Sequence, residues 1–336
     1  MQDRIPERRA LGRSGMEISS VGLGAWAMGG ADWANGLGPQ DDRQSIEAIH
    51  HAVESGINWI DTAAVYGLGH SEEIVGQAVS EMGDRDRPLI FTKCGLVWDT
   101  EDPMAEPKRN SAPDSIRQEC ESSLRRLGVD RIDLYQLHWP DDFGVPVERS
   151  WETMLDLQTE GKVRAVGVSN FDVELLDRCE ALGHVDSLQP PFSLINRAAA
   201  ADVIPWCRRH GTGVIAYSPM QSGLLSGRFT RERAETLPKN DWRTHIQWFS
   251  EPYLTRNLAL QDALRPIAQR HNASVATVAV GWLLTWSGVT GAIVGARSPA
   301  QLDEWISGGS LNLSSTDMSD IEAALTATGA GAGPIA

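Results

Sequence analysis

The sequence predicts an α/β protein, a parallel (β/α)8 TIM-type barrel, and three observations predict it. Short apolar runs alternate with helical patterns along the chain from Val21 to the segment after Ser298, giving eight strand candidates. Parallel neighbours require crossovers, and right-handed crossovers return the chain to the sheet edge until it closes. The 336 residues suffice for one large core, and barrels of this class reach that size as a single domain. Polar side chains also stand directly after several apolar runs, at the strand ends where this architecture places chemistry.

Residues 9–20 carry a turn-forming centre, Gly12-Arg13-Ser14-Gly15, between short apolar runs and read as a β-hairpin. Val21-Gly22-Leu23-Gly24 is the first barrel strand, followed by Ala25-Trp26 and a Gly-rich loop to Gly38. A helix after Asp41 and Asp42 has Ile46, Ile49 and Val53 on one stripe and Gly56 as its stop. The second strand follows, Ile57 to Ile60. The next helix begins at Ser71, with Glu72 and Glu73 in its first turn and Val75, Ala78, Val79 and Met82 at helical spacing. Strand three is Leu89-Ile90-Phe91-Thr92, and a polar stretch runs from Gly95 to Ser111. Pro113 then opens a helix with Ile116, Cys120, Leu124 and Leu127 before Gly128.

Ile132 to Leu137 is the fourth strand, and Trp151, Met154 and Leu155 mark the helix after it. Val163 to Val168 is the fifth, and Asp172 caps a helix bearing Leu175, Leu176, Cys179 and Leu182. Val185 to Gln189, Gly213 to Tyr217 and Ala292-Ile293-Val294 complete the eight. A helix holds Val203 to Cys207, and helical patterns run from Leu254 to Arg270 and from Ser274 to Trp286. The segment 218–252 far exceeds ordinary loop lengths, so it is expected to be functional or to hold short elements of its own. The barrel core is expected over about residues 9–308. A last helix follows Ser298, and residues 309–336 should form one weak helix and a mobile tail, 329–336.

Lys and Arg total 30 against 45 Asp and Glu, a formal net charge of −15. That sign repels phosphate backbones and anionic lipid, so neither nucleic acid nor a membrane surface is an expected partner. Cys94, Cys120, Cys179 and Cys207 are far apart with no Cys-x-x-Cys spacing, which suggests neither disulfides nor a metal site. Residues 1–15 lack an apolar core of signal-peptide length, and no segment approaches ~18 uncharged apolar residues. The expected setting is the cytoplasm.

A carboxylate and a phenol share the loop Asp61-Thr62-Ala63-Ala64-Val65-Tyr66-Gly67. A free phenol titrates at about 10, so passing a proton near neutrality asks for a neighbour that lowers this value. Lys93 stands at the end of the third strand and His138 closes the fourth. An ammonium at Lys93 would stabilise the Tyr66 phenolate, and Asp61 would fix the lysine and keep it charged. Singly, Asp61 also reads as a cap, Lys93 as a solvated cation and His138 as a satisfied half-buried residue.

With the local spellings DTAAVYG (61–67), FTKCG (91–95) and LHWP (137–140), these four residues resemble the catalytic tetrad of the aldo-keto reductase superfamily. The resemblance continues through Gly167-Val168-Ser169-Asn170-Phe171, Ala216-Tyr217-Ser218-Pro219 and Gly295-Ala296-Arg297-Ser298, and covers the chain from about Gly15 to about Ile306. It implies a hairpin that closes the barrel floor and an NADP-dependent reductase of aldehydes or ketones, which in reverse oxidises alcohols, polyols or sugars. NAD is a weaker alternative cofactor. Charge left on a carbonyl oxygen by hydride transfer needs a proton donor, which the family supplies at the position of Tyr66, while neutral His138 orients that oxygen.

The resemblance further implies that Ala25 and Trp26 border the cofactor and that Ser169, Asn170 and Gln189 hold its carboxamide. Tyr217 offers a flat ring for the nicotinamide to stack on. No Gly-x-Gly-x-x-Gly follows a strand, so pyrophosphate is not cradled in the dinucleotide-fold manner. Ser218, Pro219, Met220, Ser222 and Arg228 match the family's pyrophosphate positions, and Gly295, Arg297, Ser298, Gln301 and Glu304 its adenosine end, with 218–252 as a cofactor-covering belt. Trp305 replaces the family's usual Asn, leaving an indole to pack against the base instead. Trp26, Trp98 and Trp139 are the expected substrate walls, and the segments around 91–99, 109–113 and 137–141 look most like bacterial reductases of small aldehydes and sugars. The rival from another class is a cofactor-binding channel β subunit; those proteins carry Asn where His138 stands.

Overall fold

A computed structural model describes residues 5–83, 87–238 and 241–335. Residues 1–4 of the expected leaderless N-terminus, 239–240 of the belt and 336 of the tail lie outside it. A hairpin of β1 (Arg8–Ala10) and β2 (Glu17–Ser19) comes first, Arg8 opposite Ser19. Then follow β3 (Val21–Gly24), β4 (Trp59–Asp61) and β5 (Leu89–Cys94). A small antiparallel pair, β6 (Leu96–Val97) and β7 (Lys108–Arg109), lies within the stretch expected to be plain loop. The barrel continues with β8 (Ile132–Leu137), β9 (Val163–Ser169), β10 (Ser187–Gln189), β11 (Gly213–Tyr217) and β12 (Gly291–Gly295). Its eight strands pair in sequence order, all parallel, and β12 closes on β3.

Between successive strands stand α1 (Asp42–Glu54), α2 (His70–Ser80), α3 (Pro113–Leu127), α4 (Val147–Thr159), α5 (Val173–Glu180) and α6 (Val203–His210). The belt holds α7 (Arg231–Glu235) and short 3₁₀ turns. Before β12 come α8 (Tyr253–Ala263), α9 (Arg265–Arg270) and α10 (Val275–Thr285); after it come α11 (Pro299–Asp303) and α12 (Ser315–Thr328). Local chemistry sets these ends. Asp41 and Asp172 accept from the N–H groups of Gln44 and Leu175, and Pro113 opens α3 where its missing N–H costs nothing. Gly128 takes the left-handed conformation (φ 65°) that ends α3.

Strand alternation sorts the barrel interior into layers. Trp59, Phe91, Leu134, Ala165, Ile215 and Ile293 point inward and meet Leu11, Met16 and Ile18 of the hairpin, which therefore plugs the floor. Two residues further along, the same alternation turns Asp61, Lys93, Gln136 and Tyr217 inward. The lower layer is filled unevenly: a Cβ at Gly22 would lie 2.2 Å from the Trp59 ring, and one at Gly291 3.1 Å. The indole occupies room that its neighbouring strands leave empty, and its Nε1 donates to Ser19 O at 2.8 Å.

Several expectations change. The buried stripe of α1 is Ser45, Ala48, Ile49 and Ala52, with Ile46 flanking it, in a helix that packs closely against α2 and α11. Leu182 is exposed past the end of α5. The single helix expected from Leu254 to Arg270 breaks at Leu264, before a proline that lacks the N–H for the ladder. The weak last helix is well capped: Ser314 and Asp317 exchange hydrogen bonds across its first turn. The tail expected to be mobile is docked, with Arg197 donating to the carbonyls of Ala330 (3.3 Å), Gly333 (3.4 Å) and Pro334 (2.9 Å). Among the described residues no helix is long and apolar enough to cross a membrane, and no cluster of His, Cys, Asp and Glu forms a metal site.

Two predictions follow from this architecture. Gly22→Ala forces a methyl into a fully buried indole and should lower unfolding free energy by about 1–3 kcal/mol, read from the urea midpoint. Glu119, which accepts from Gly95 N (2.9 Å) at the start of the β6–β7 pair and from Ser115 Oγ (3.0 Å), is pushed up to about 7 chiefly by burial, against the pull of those hydrogen bonds. The folded state thus holds a proton that the unfolded state, at about 4.3, has released. Wild type should therefore lose stability relative to Glu119→Gln as pH rises from about 4.5 to 7. Urea titrations across that range check this, and a pH-independent difference would refute it.

Candidate active site

The loop after β4 is pinned from both sides. Thr62 N donates to Phe91 O at 2.9 Å, and the Thr62 hydroxyl meets Ser71 Oγ at 2.9 Å, which in turn donates to Ala25 O at 2.9 Å. Beyond Tyr66 the backbone turns left-handed at Gly67 (φ 61°), where a Cβ would strike Gly29 O at 2.3 Å. Only glycine permits this approach of two backbones, and it fixes where the phenol emerges.

Neighbouring strands supply the other groups. Lys93 is fully buried and its Nζ donates to Asp61 Oδ1 (2.6 Å) and Thr62 O (2.8 Å), and stands 3.4 Å from the Tyr66 hydroxyl. The second carboxylate oxygen of Asp61 accepts from Gln189 Nε2 at 2.9 Å. His138 sits edge-on to Tyr66 with ring centroids 5.7 Å apart, and its backbone N–H donates to Cys94 O at 2.9 Å. All four residues of the expected tetrad are thus brought together.

Their electrostatics differ from expectation at one point. Burial, and then the charge of Asp61, push the Tyr66 phenol well above 10, so Lys93 does not give it a low resting pKa. Burial also lowers Lys93, with Asp61 opposing, and burial followed by the Lys93 charge drives His138 well below 6.5. Near neutrality the site holds a protonated phenol and a neutral imidazole.

A cavity of about 800 Å³ opens at the carboxyl ends of the strands. Asp61, Tyr66 and His138 line it, together with Ala25, Trp26, Ser169, Asn170, Gln189, Tyr217, Ser218, Pro219, Met220, Ser222, Gly295, Arg297 and Gln301. Ser169 and Asn170 do not start a helix; Asn170 is left-handed (φ 63°), donates to His138 O (3.0 Å) and accepts from the Tyr217 hydroxyl (2.8 Å). Ser218, Gln221 and Ser222 are left-handed as well (φ 58°, 44° and 54°), an unusual run of strained residues at the cavity edge.

Five expected residues lie elsewhere. Arg228 and Glu304 pair with each other at 2.8 Å, Arg228 largely in solvent, and Ser298 precedes α11 outside the cavity lining. Trp98 packs with Trp33, Ala63 and Val65 and is not among the residues lining the cavity. Trp305 is buried in the core around the barrel, so its indole is not placed to pack on a ligand in the cavity. Conversely, Trp33, Glu106, Arg109, Arg233, Trp242 and Arg243 line the cavity unforeseen. The unusual length of 218–252 was their only signal for the belt residues. Trp242 stacks near Trp26 (5.2 Å), and Arg109 lies 4.5 Å over the face of Trp139.

A cavity of this size at the carboxyl ends, with an acid–base cluster at its base and guanidinium groups along it, fits a dinucleotide carrying phosphates. Comparison with known proteins agrees. Residues 20–326 match the Aldo/keto reductase family. The chain is 39% identical over 325 residues to aldo-keto reductase YhdN of Bacillus subtilis (strain 168), covering 96% of this chain and 94% of that protein. It is 34% identical over 316 residues to the NADH-specific methylglyoxal reductase of Escherichia coli (strain K12), covering 91% and 94%. Among solved structures, the glycerol dehydrogenase AKR11B4 from Gluconobacter oxydans superposes with a TM-score of 0.88 at 36% identity, over 99% of this chain and 98% of that one. With its eight parallel strands and its buried Asp–Lys–Tyr–His cluster, the chain belongs to the aldo/keto reductase family of oxidoreductases.

Proposed function

We propose that the protein is an NADP(H)-dependent oxidoreductase that reduces aldehydes or ketones, or oxidises the corresponding alcohols, polyols or sugars, with Tyr66 as proton donor. One observation carries this reading: the Lys93 ammonium, clamped by Asp61 and Thr62 O, stands 3.4 Å from the Tyr66 hydroxyl. Because burial keeps Tyr66 protonated, it is in the donor state at any ordinary pH. A phenolate there would be costly without a cation, and Lys93 supplies one as the proton leaves. His138, held neutral, offers a hydrogen bond to the same substrate oxygen without adding a competing charge.

When bound, a reduced nicotinamide supplies the hydride. Tyr217 offers its ring face for that group, while Ser169, Asn170 and Gln189 are the candidates to hold the carboxamide. Their present bonds, Ser169 Oγ to Gln189 O at 2.8 Å and Gln189 to Asp61, fix these side chains in place beforehand. At the far end the Arg297 guanidinium has, among the described residues, only carbonyl partners, Leu37 O and Gly38 O. A guanidinium with no carboxylate of its own favours the extra phosphate of NADP. The E. coli relative is by name NADH-specific, so family membership alone does not choose between the two.

Trp26, Trp139, Trp33 and Trp242 give the substrate end aromatic walls. The relatives named for methylglyoxal and glycerol support a small, polar carbonyl or polyol. Four unpaired, buried thiols suit a cytoplasmic enzyme.

Tyr66→Phe should leave dinucleotide binding intact and keep less than about a tenth of wild-type turnover, tenfold being ~1.4 kcal/mol of barrier. Turnover above that level, followed by nicotinamide absorbance over a panel of aldehydes, ketones and polyols, would remove Tyr66 from the donor role. Arg297→Ala should weaken NADP by about tenfold to a hundredfold, the worth of one charge-assisted contact. NAD should lose much less, only what slackening of the loop at residues 37–38 costs. Equal losses for both dinucleotides, titrated by tryptophan quenching, would refute the assignment.

A further inference from the structure

Arg297 is not the only cation at its end of the cavity. Arg243, from the 3₁₀ turn Trp242–His245 of the belt, and Arg233 of α7 line the same cavity. Arg243 engages Asp241 bidentately, Nε to Oδ1 at 2.9 Å and Nη2 to Oδ2 at 2.6 Å, while its Nη1 makes no hydrogen bond among the described residues. The cavity's two lining carboxylates are committed elsewhere: Asp61 holds Lys93 and Gln189, and Glu106 accepts from Asn35 at 3.2 Å. Among the described residues, only one of these three guanidinium groups, that of Arg243, is paired with a carboxylate, Asp241. In a chain of net charge −15 this local excess of positive charge runs against the whole. Arg297 registers it: burial first, then the charge of Arg243, lowers its pKa.

Two arginines from separate elements, one paired with no acid among the described residues, describe a receiver for a compact dianion rather than a structural ion pair. Resting on the NADP reading above, we propose that Arg243 is a second determinant of dinucleotide choice, forming with Arg297 a two-guanidinium subsite for the phosphate on the adenosine ribose. That phosphate is close to a dianion at neutral pH. Asp241 holds the Arg243 fork in its orientation, and the free Nη1 edge is left for the ligand. The belt thus selects the cofactor as well as covering it, and the selecting residue lies 54 positions before Arg297 in the chain.

The test uses fragments that lack nicotinamide, so that turnover plays no part. Adenosine 2′,5′-diphosphate and 5′-AMP are titrated calorimetrically into wild type, Arg243→Ala and the double variant Asp241→Ala/Arg243→Ala, with circular dichroism confirming the fold. Arg243→Ala should weaken the diphosphate by about tenfold or more and 5′-AMP by less than about twofold. The double variant, which removes one charge of each sign, should stay as weak. Wild type that binds both fragments equally would sink the NADP reading itself. Wild-type preference retained in Arg243→Ala would overturn the role of Arg243 alone. Preference regained in the double variant would show that Arg243 merely neutralised Asp241, and would overturn the proposal equally.

Discussion

An ammonium buried inside a barrel is the constraint around which this molecule is arranged. Taking Lys93 out of water costs several kcal/mol unless its charge and all its donors are met, and Asp61, Thr62 O and the nearby Tyr66 hydroxyl meet them. Asp61 in turn needs its second oxygen satisfied, which draws in Gln189 from the opposite side of the barrel. Each requirement fixes a register: Asp61 lies beside Phe91 and Lys93 beside Gln136 in the paired strands. Loss of either partner of such a pair typically costs 3–5 kcal/mol, so strand register and site chemistry are one specification.

The cavity joins two environments of opposite character. Its base is enclosed by the strands, and there burial dominates the shifts, keeping phenol and imidazole neutral and depressing the lysine. Its outer length carries arginines whose charges are poorly compensated. Only the first environment needs rigid strands. The second is built from the loop after β12 and from the belt, where side chains can be exchanged without disturbing the barrel.

Much of this was legible in the sequence, for identifiable reasons. Polar residues closing three successive apolar runs pointed to Asp61, Lys93 and His138, with Tyr66 on the loop after the first, and the resemblance to the aldo-keto reductase tetrad joined the four. Burial was not legible. Nothing local says that Tyr66 is so desolvated that its pKa rises despite Lys93, or that Trp305 belongs to the core. Pairings across long separations were equally hidden: Arg228 and Glu304 stand 76 residues apart in the chain and form an ion pair. The small-residue stripe of α1 escaped because apolar periodicity registers Ile46 and Val53 more strongly than the Ser45, Ala48 and Ala52 that are buried.

The docking of Gly329–Ile335 changes what that stretch is. Arg197 is nearly fully buried and, among the described residues, meets no carboxylate; its donors end on the carbonyls of Leu194, Ala330, Gly333 and Pro334. A bare run of small residues thereby serves as a solvating shell for a cation, doing with peptide dipoles what water does at the surface. Gly331 and Gly333 matter here for their lack of side chains, since a Cβ at either would fall within 2.5 Å of backbone at Ile195 or Arg197. Deleting the stretch would strand a charge beside the β10–β11 connection, so truncation past α12 would reach the barrel wall.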